Sequence, residues 1–324
     1  MRLMKLLPML VAAAAVAPAL GSHVPAQQIA ERSIRSTLLL VSGGAAAYLG
    51  AEKGVVEGLN GAASGAVRTV NLGSEEGEAA GREALAVPPT LIVAVGTRAA
   101  RLARQEAPGV PLVYAMVLDP ASAGLPGPGE TPGEAVTGVA MDVTLRDQLA
   151  LLREMIPGLK RIGVLYDPSV SGPLVRRAED EMRAMGLTLT AQPVRSEAEV
   201  IGAAGLIAPE VDVLWAIPDV TVLTSANARA LILLALRSRK PLLAMSEGYV
   251  RHGALAALAA HPYEVGRRAG EMATSILSGT PVQRLKPEMP PRVDLFVNVA
   301  TAQRLGLELP DAIVSRAGAL YPRQ

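Results

Sequence analysis

The sequence predicts an α/β chain built as two doubly wound parallel-sheet lobes joined by a multi-strand hinge. Three observations carry that expectation. Short runs rich in Val, Ile and Leu alternate with stretches of helical apolar spacing. Half of the 324 residues are apolar (50%), enough for a sizeable core. A dense Pro/Gly segment then interrupts the alternation. Strand followed by helix, repeated, implies parallel sheets covered on both faces.

From the N-terminus, Arg2 and Lys5 precede an apolar run from Leu6 to Leu20, and small-residue cleavage patterns follow at Ala17-Pro18-Ala19 and Val24-Pro25-Ala26. This is the pattern of an export signal, with cleavage expected near Ala26. The run contains Pro8 and Pro18 and is shorter than the roughly 20 apolar residues a spanning helix wants; an uncleaved anchor is the competing reading. No later segment is apolar enough for stable membrane insertion, so the mature chain is expected in the periplasm. With no Cys it is not a lipoprotein of the N-terminal-cysteine type.

Candidate strands run from Thr37 to Ser42, Val67 to Leu72, Leu91 to Gly96, Pro111 to Val117, Arg161 to Asp167, Thr188 to Val194, Val211 to Ile217 and Pro241 to Glu247. Between them, Leu145, Leu149, Leu152 and Ile156 form a helical stripe behind the capping pair Thr144 and Asp147. Leu174, Ala178, Met182 and Met185 form another, behind Ser171 and stopped by Gly186. Val265, Ala269, Met272 and Ile276 form a third, closed by Gly279 and Pro281. Between Asp119 and Gly133 the chain is too rich in Pro and Gly to continue a helix or a central strand, which divides the candidate strands into two sets. Gly253 to Ala260 reads as a small-residue route back to the first sheet. The helix from Tyr263 to Ser278 would pack on the first lobe, and Arg292 to Val297 would return to the second. The expected organisation is a signal peptide at 1–26, an N-terminal lobe at 27–135 plus 254–290, and a C-terminal lobe at 136–253 plus 291–324. Several crossings between lobes imply a hinge.

Composition narrows the chemistry. Basic and acidic residues nearly balance, 31 against 30, leaving no excess to neutralise nucleic-acid phosphates. The absence of Cys excludes thiol catalysis and thiolate metal sites, and three His make a multi-His metal site or a Ser/His/Asp triad hard to assemble. No dinucleotide or phosphate-loop glycine pattern, H-E-x-x-H or G-x-S-x-G occurs. No cofactor, metal or catalytic residue is expected.

Open parallel sheets bind ligands beyond the C-terminal ends of their strands. Those ends place Ser42, Gly43, Gly44, Gly96, Thr97, Asp119, Asp167, Ser169, Asp219, Ser246 and Glu247 at a candidate cleft. Glycines allow close backbone approach, helix starts can hold an anion, and carboxylates can pair with an ammonium group. Tyr48, Tyr166 and Tyr249 fall at or just beyond strand ends, where a ring could stack on a ligand or plug the sheet's rim. Trp215 lies inside a strand and reads as core. Asp119 and Asp167 precede proline, so turn capping explains them as well as binding does. Asp219 and Glu247 lack so ready a structural explanation and are the better binding candidates.

The same residues carry a family resemblance. Thr137-Gly138-Val139, Gln148-Leu149, Pro157 to Lys160, Arg161 to Pro168, Asp212, Asp219, Lys240-Pro241, Tyr249 to Ala254 and Tyr263 to Arg267 occur in order. Ile276-Leu277-Ser278-Gly279, Asn298, Ala302, Leu305-Gly306-Leu307 and Pro310 continue the series. Together they resemble the ABC transporter substrate-binding proteins that include tryptophan and tyrosine binders, with the type I periplasmic-binding-protein fold. Relatives commonly have Asn after the tyrosine and a Glu-x-Asn-Ser continuation, where this chain has Asp167-Pro168-Ser169-Val170. Residues 37–90 match poorly and lack the usual "Gly-Tyr-x-Glu-Gly" stretch.

The resemblance implies capture of a small polar solute, such as an amino acid or related compound, by hinge closure and its delivery to the permease subunits of an ABC importer. For an amino-acid-like ligand, Ser42 to Gly44 and Gly96-Thr97 would face the carboxylate. Asp219 or Glu247 would face the ammonium, and Tyr166 or Tyr249 the side chain. The alternative is an exported ligand-sensing module for a membrane signalling receptor.

Overall fold

The computed structural model describes residues 36–59, 65–132 and 135–322; the export-signal reading falls outside them. The first lobe runs β1 (Ser36–Val41), α1 (Ala46–Gly58), β2 (Ala66–Asn71), α2 (Glu75–Ala86), β3 (Leu91–Val95), α3 (Thr97–Glu106), β4 (Leu112–Val117) and β5 (Val136–Ala140). Its five strands are parallel in the order β2-β1-β3-β4-β5. The sheet is apolar on both faces. Leu38 and Leu40 of β1 join one core cluster while Leu39 and Val41 join the other, the period-2 signature of a strand covered on both sides.

The second lobe contains α4 (Leu145–Met155), β6 (Arg161–Tyr166), α5 (Gly172–Ala184), β7 (Thr188–Pro193), α6 (Val200–Ile207), β8 (Val213–Trp215), α7 (Ser225–Arg237), β9 (Leu242–Ala244), α8 (Glu247–Arg251) and β10 (Ala256–Ala260). Helix α9 (Pro262–Leu277) returns to the first lobe. The chain then completes the second sheet with β11 (Val293–Asn298), α10 (Val299–Leu305), α11 (Asp311–Arg316) and β12 (Ala319–Tyr321). This seven-stranded sheet has the order β12-β11-β10-β9-β8-β6-β7, antiparallel where β10 meets β11. The expected caps form: Thr144 Oγ1 accepts from the Asp147 amide at 3.1 Å and donates to its carboxylate at 2.6 Å. Gly186 and Gly279 end their helices with φ of 71° and 101°.

Two expectations are corrected. The Pro/Gly segment does not end the first lobe, because β5 follows it and pairs with β4. Gly138 makes β5 a weak strand by pattern, yet a Cβ there would collide with the ring of buried Tyr114, whose hydroxyl donates to Pro126 O at 2.7 Å. Ala256 to Ala260 is not a route back to the first sheet; it is a strand of the second, between β9 and β11. Alanine has little strand preference, and ladder pairing on both sides decides the conformation. The lobes therefore exchange chain after β5 and after β10, not at 135 and 253.

Helix α9 is bound to α1 at backbone contact. A Cβ on Gly54 would collide with Tyr263 O, one on Gly58 with Arg267 O, and one on Gly266 with Ala51 O. Thr274 Oγ1 also donates to Gly58 O at 3.0 Å. Gly266→Ala is expected to lower stability by about 2–3 kcal/mol through overpacking. Gly202→Ala, on exposed helix surface with no atom near the new Cβ, should instead raise it by about 0.5–1 kcal/mol. Urea unfolding of both variants checks the pair.

Candidate functional site

Both sheets are wound alike. Their order reverses between β1 and β3 in the first lobe and between β6 and β8 in the second, and such switch points open crevices at the strands' C-terminal ends. A cavity of about 790 Å³ lies between the lobes. Of the residues expected at the cleft, Thr97 and Asp119 line it from the first lobe, and Ser169, Asp219 and Tyr249 from the second. A second cavity, about 190 Å³, adjoins it at the hinge and shares Leu118, Pro218 and Met245 with it. Trp215 borders this hinge cavity from the second core, its Nε1 donating to Gln148 Oε1 at 2.8 Å.

The other candidates line neither cavity. Ser42 Oγ accepts from the Ala99 amide at 3.0 Å, fastening the start of α3 to the end of β1. Gly96, at φ 92°, leaves room for Ser42 and Tyr48: a Cβ on it would stand 2.5 Å from Ser42 Oγ and 3.0 Å from the Tyr48 ring. Tyr48 packs on the first core and Tyr166 on the second. Gly43 and Gly44 border the turn at Gly73. Ser246 starts α8 without a side-chain cap bond, and Glu247 Oε1 accepts from the Tyr321 hydroxyl. Ser42, Gly43, Gly44, Tyr48, Gly96, Tyr166, Ser246 and Glu247 thus hold the rims of the sheets.

Asp219 borders the main cavity but is 3% exposed and fully engaged. Oδ2 accepts from the Asp167 amide at 2.7 Å and the Ser171 hydroxyl at 2.5 Å; Oδ1 accepts from the amides of Thr221 and Val222 at 3.0 and 3.1 Å. It therefore ties the loop after β6 to the loop after β8 and leaves no lone pair for a ligand ammonium. Asp167 closes the same knot, Oδ1 accepting from the Ser169 hydroxyl at 2.6 Å and amide at 2.8 Å, Oδ2 from the Thr221 hydroxyl at 2.9 Å. These bonds, led by the Ser169 hydroxyl, hold its carboxyl below the usual range.

Charged groups the sequence reading did not single out dominate the rest of the site. Glu78, Arg82, Arg98 and Arg101 line the first-lobe wall from α2 and α3. Their signal was readable: α3 buries Ala99, Ala100, Leu102 and Ala103, and Arg98 and Arg101 are exposed. At the hinge, Asp119 has a left-handed φ of 43°. Its amide donates to Asp142 Oδ1 at 3.0 Å, and its carboxylate accepts from the Ser122 hydroxyl. Arg177 of α5 meets that carboxylate at 3.7 Å, joining the lobes. Asp142 Oδ2 is buried and has no hydrogen-bond partner among the described residues. Burial, reinforced by the charge of Asp119, raises the Asp142 carboxyl above the usual range against the opposing pull of the Asp119 amide and Arg177.

Asp219→Ala should destabilise the protein by about 2–4 kcal/mol, because it leaves buried donors unpaired, as read by urea unfolding. Asp142 titrates higher folded than unfolded, so its contribution to stability is full below the unfolded value and is lost as pH rises through the folded one. Asp142→Asn keeps the acceptor for the Asp119 amide; the melting temperature should rise at pH 7, and the variant's advantage over the parent should grow as pH rises above the ordinary carboxylate range. A lowered melting temperature at pH 7 would show that the ionised carboxylate is needed.

Comparison with known proteins agrees with this architecture. The sequence model of the ABC transporter substrate binding protein family matches residues 47–320. A tyrosine-binding protein of Clostridioides difficile (strain R20291) is 26% identical over 199 residues, 61% of this chain and 57% of that protein. A Streptococcus pneumonia ABC domain in complex with L-Trp superposes with a TM-score of 0.71 at 22% identity, covering 89% of this chain and all of that one (100%). The ligand-free, open structure of a substrate binding protein with adhesive properties from Clostridium difficile gives 0.74 at 23% identity, covering 90% and 100%. At these identities the superpositions establish the type I periplasmic-binding-protein fold. With its family model spanning both lobes, the chain belongs to the ABC transporter substrate-binding protein family.

Proposed function

We propose that this chain is an extracytoplasmic receptor that captures a small organic solute of amino-acid size by closing its lobes and delivers it to the permease subunits of an ABC importer. The observation that carries this reading is the 790 Å³ cavity, to which each lobe contributes a wall. Small-molecule sites commonly enclose roughly 300–1,000 Å³. A solute that touches both walls binds the closed arrangement better than the open one, and that difference in affinity shifts the population. Binding without turnover suffices: the family and its named relatives are binding proteins. Among the described residues no helix is long and apolar enough to cross a membrane, and the leader-like N-terminal sequence supports export to the periplasm.

The relatives named for tyrosine and L-Trp make amino acids and compounds of similar size the first candidates. A micromolar solute needs about 8 kcal/mol of binding free energy, within reach of a few charge-assisted hydrogen bonds and an apolar contact. The test is to identify by mass spectrometry any small molecule that leaves the purified protein on denaturation, return it to the emptied protein, and follow the radius of gyration by small-angle X-ray scattering. Saturation should shrink the radius. Binding at unchanged radius would remove the closure mechanism, and a metabolite panel that leaves the melting temperature unmoved would remove capture itself.

A further inference from the structure

The two walls of the main cavity differ in chemistry. From the first lobe, Arg82, Arg98 and Arg101 project cationic groups beside Thr97. From the second lobe, Val170, Val220, Leu223 and Met245 make an apolar surface, with Val220 77% exposed. The carboxylates on this cavity already have partners. Glu78 holds Arg82 at 2.8 Å through Oε1 and Arg98 through Oε2. Asp119 holds the Ser122 hydroxyl and Arg177, and Asp219 accepts four bonds. Arg101 is the exception among the cations: its guanidinium donates to Ser122 O at 3.3 Å and has no carboxylate within ion-pair distance among the described residues. A solute carboxylate would meet a guanidinium that has no carboxylate of its own, whereas a solute ammonium would have to share Glu78 or Asp119 with the arginines and hydroxyl they already hold.

We propose that the solute is an amphiphilic organic acid without an ammonium group. Its carboxylate is held by Arg101 with Arg98 and Thr97. Its apolar body lies on the Val170, Val220 and Leu223 wall, with the hinge cavity beyond Met245 open to a longer tail. The assignment rests on the solute-capture reading and departs from it in chemistry, favouring an organic acid over the amino acids that the relatives suggest. Arginine suits the role because its planar fork meets a carboxylate through two parallel hydrogen bonds. An ammonium desolvated by lobe closure without a carboxylate of its own would cost affinity.

The test is isothermal titration calorimetry with matched compounds on two skeletons: 3-phenylpropionate, phenylalanine and 2-phenylethylamine; 4-methylpentanoate, leucine and 3-methylbutylamine. On at least one skeleton the acid should bind roughly tenfold or more tightly than the amino acid, with no binding of the amine. Arg101→Gln should weaken the acid by roughly tenfold or more at an unchanged melting temperature of the empty protein, and Arg101→Lys should recover part of the loss. Amino acids binding as tightly as the acids, or Arg101→Gln changing acid affinity by less than about twofold, would overturn the inference. If all six compounds are silent, the molecule released from the purified protein decides. An organic acid supports the assignment; a zwitterion or cation overturns it and leaves solute capture standing. Release of nothing, with no response to a broad metabolite panel, overturns both.

Discussion

Helix α9 follows a strand of the second sheet and packs on the first lobe, and that single exchange sets most of the molecule's behaviour. Its glycines lie against the backbone of α1 so closely that no side chain fits between them. Small residues at such a crossing gain dispersion contact along the whole helix pair and tolerate little shift in register. The first lobe therefore depends on a helix from beyond residue 260 to complete one face of its core, and the second lobe receives β11 and β12 only after the chain has been there. Neither lobe is a contiguous piece of sequence. Multiple crossings make the lobes hard to separate yet leave the few residues between β5 and α4, and those flanking α9, as the places where backbone angles can change.

Within each lobe the shared winding order fixes which strand ends meet the partner, while the local chemistry at the two switch points differs. In the first lobe a hydroxyl and a positive-φ glycine lock the end of β1 to the start of α3, which aims the exposed face of that helix at the cleft. In the second lobe a buried carboxylate gathers three backbone amides and a hydroxyl, which fixes two loops at once. Polar groups at strand ends thus divide into those that build the rim and those that face the cavity. Where a rim group is buried and fully hydrogen-bonded, as Asp219 is, it fixes its loops rigidly, the condition for holding a small ligand at fixed geometry.

That division explains what could be read in advance. The strand and helix stripes were legible because Leu149, Leu152, Val164 and their equivalents bury a periodic face. Strands β5 and β10 were not, since Gly138 answers to the ring of Tyr114 and Ala256 to Ala260 answer to their neighbours in the ladder. The strand-end rule led to the edge of each sheet that borders the main cavity. It could not separate Asp219, consumed by its own loop, from Thr97, which faces the cavity. That distinction depends on which amides lie within about 3 Å, a tertiary fact. Arg98 and Arg101 cannot be told by sequence from an ordinary solvated face, since surface arginines on an amphipathic helix usually mean no more than that.

The ion pair between Asp119 and Arg177 joins the two lobes, so under the proposed closure mechanism it weighs on the balance between lobe arrangements. Arg177 is 55% exposed and the separation is 3.7 Å; a pair so placed contributes roughly 0–1 kcal/mol and is screened by salt. A solute must supply about 5.5 kcal/mol of differential affinity to carry a two-state equilibrium from 1:99 to 99:1. The pair is therefore a bias and not a lock. Asp142 opposes it in part, since its buried, unpartnered oxygen places a second carboxylate beside Asp119 and makes ionisation costly at the residue where the chain leaves β5 for the second lobe. Attraction from Arg177 across the cleft and repulsion from Asp142 at its base therefore act on Asp119 with opposite sign, which keeps either one from fixing the lobes by itself.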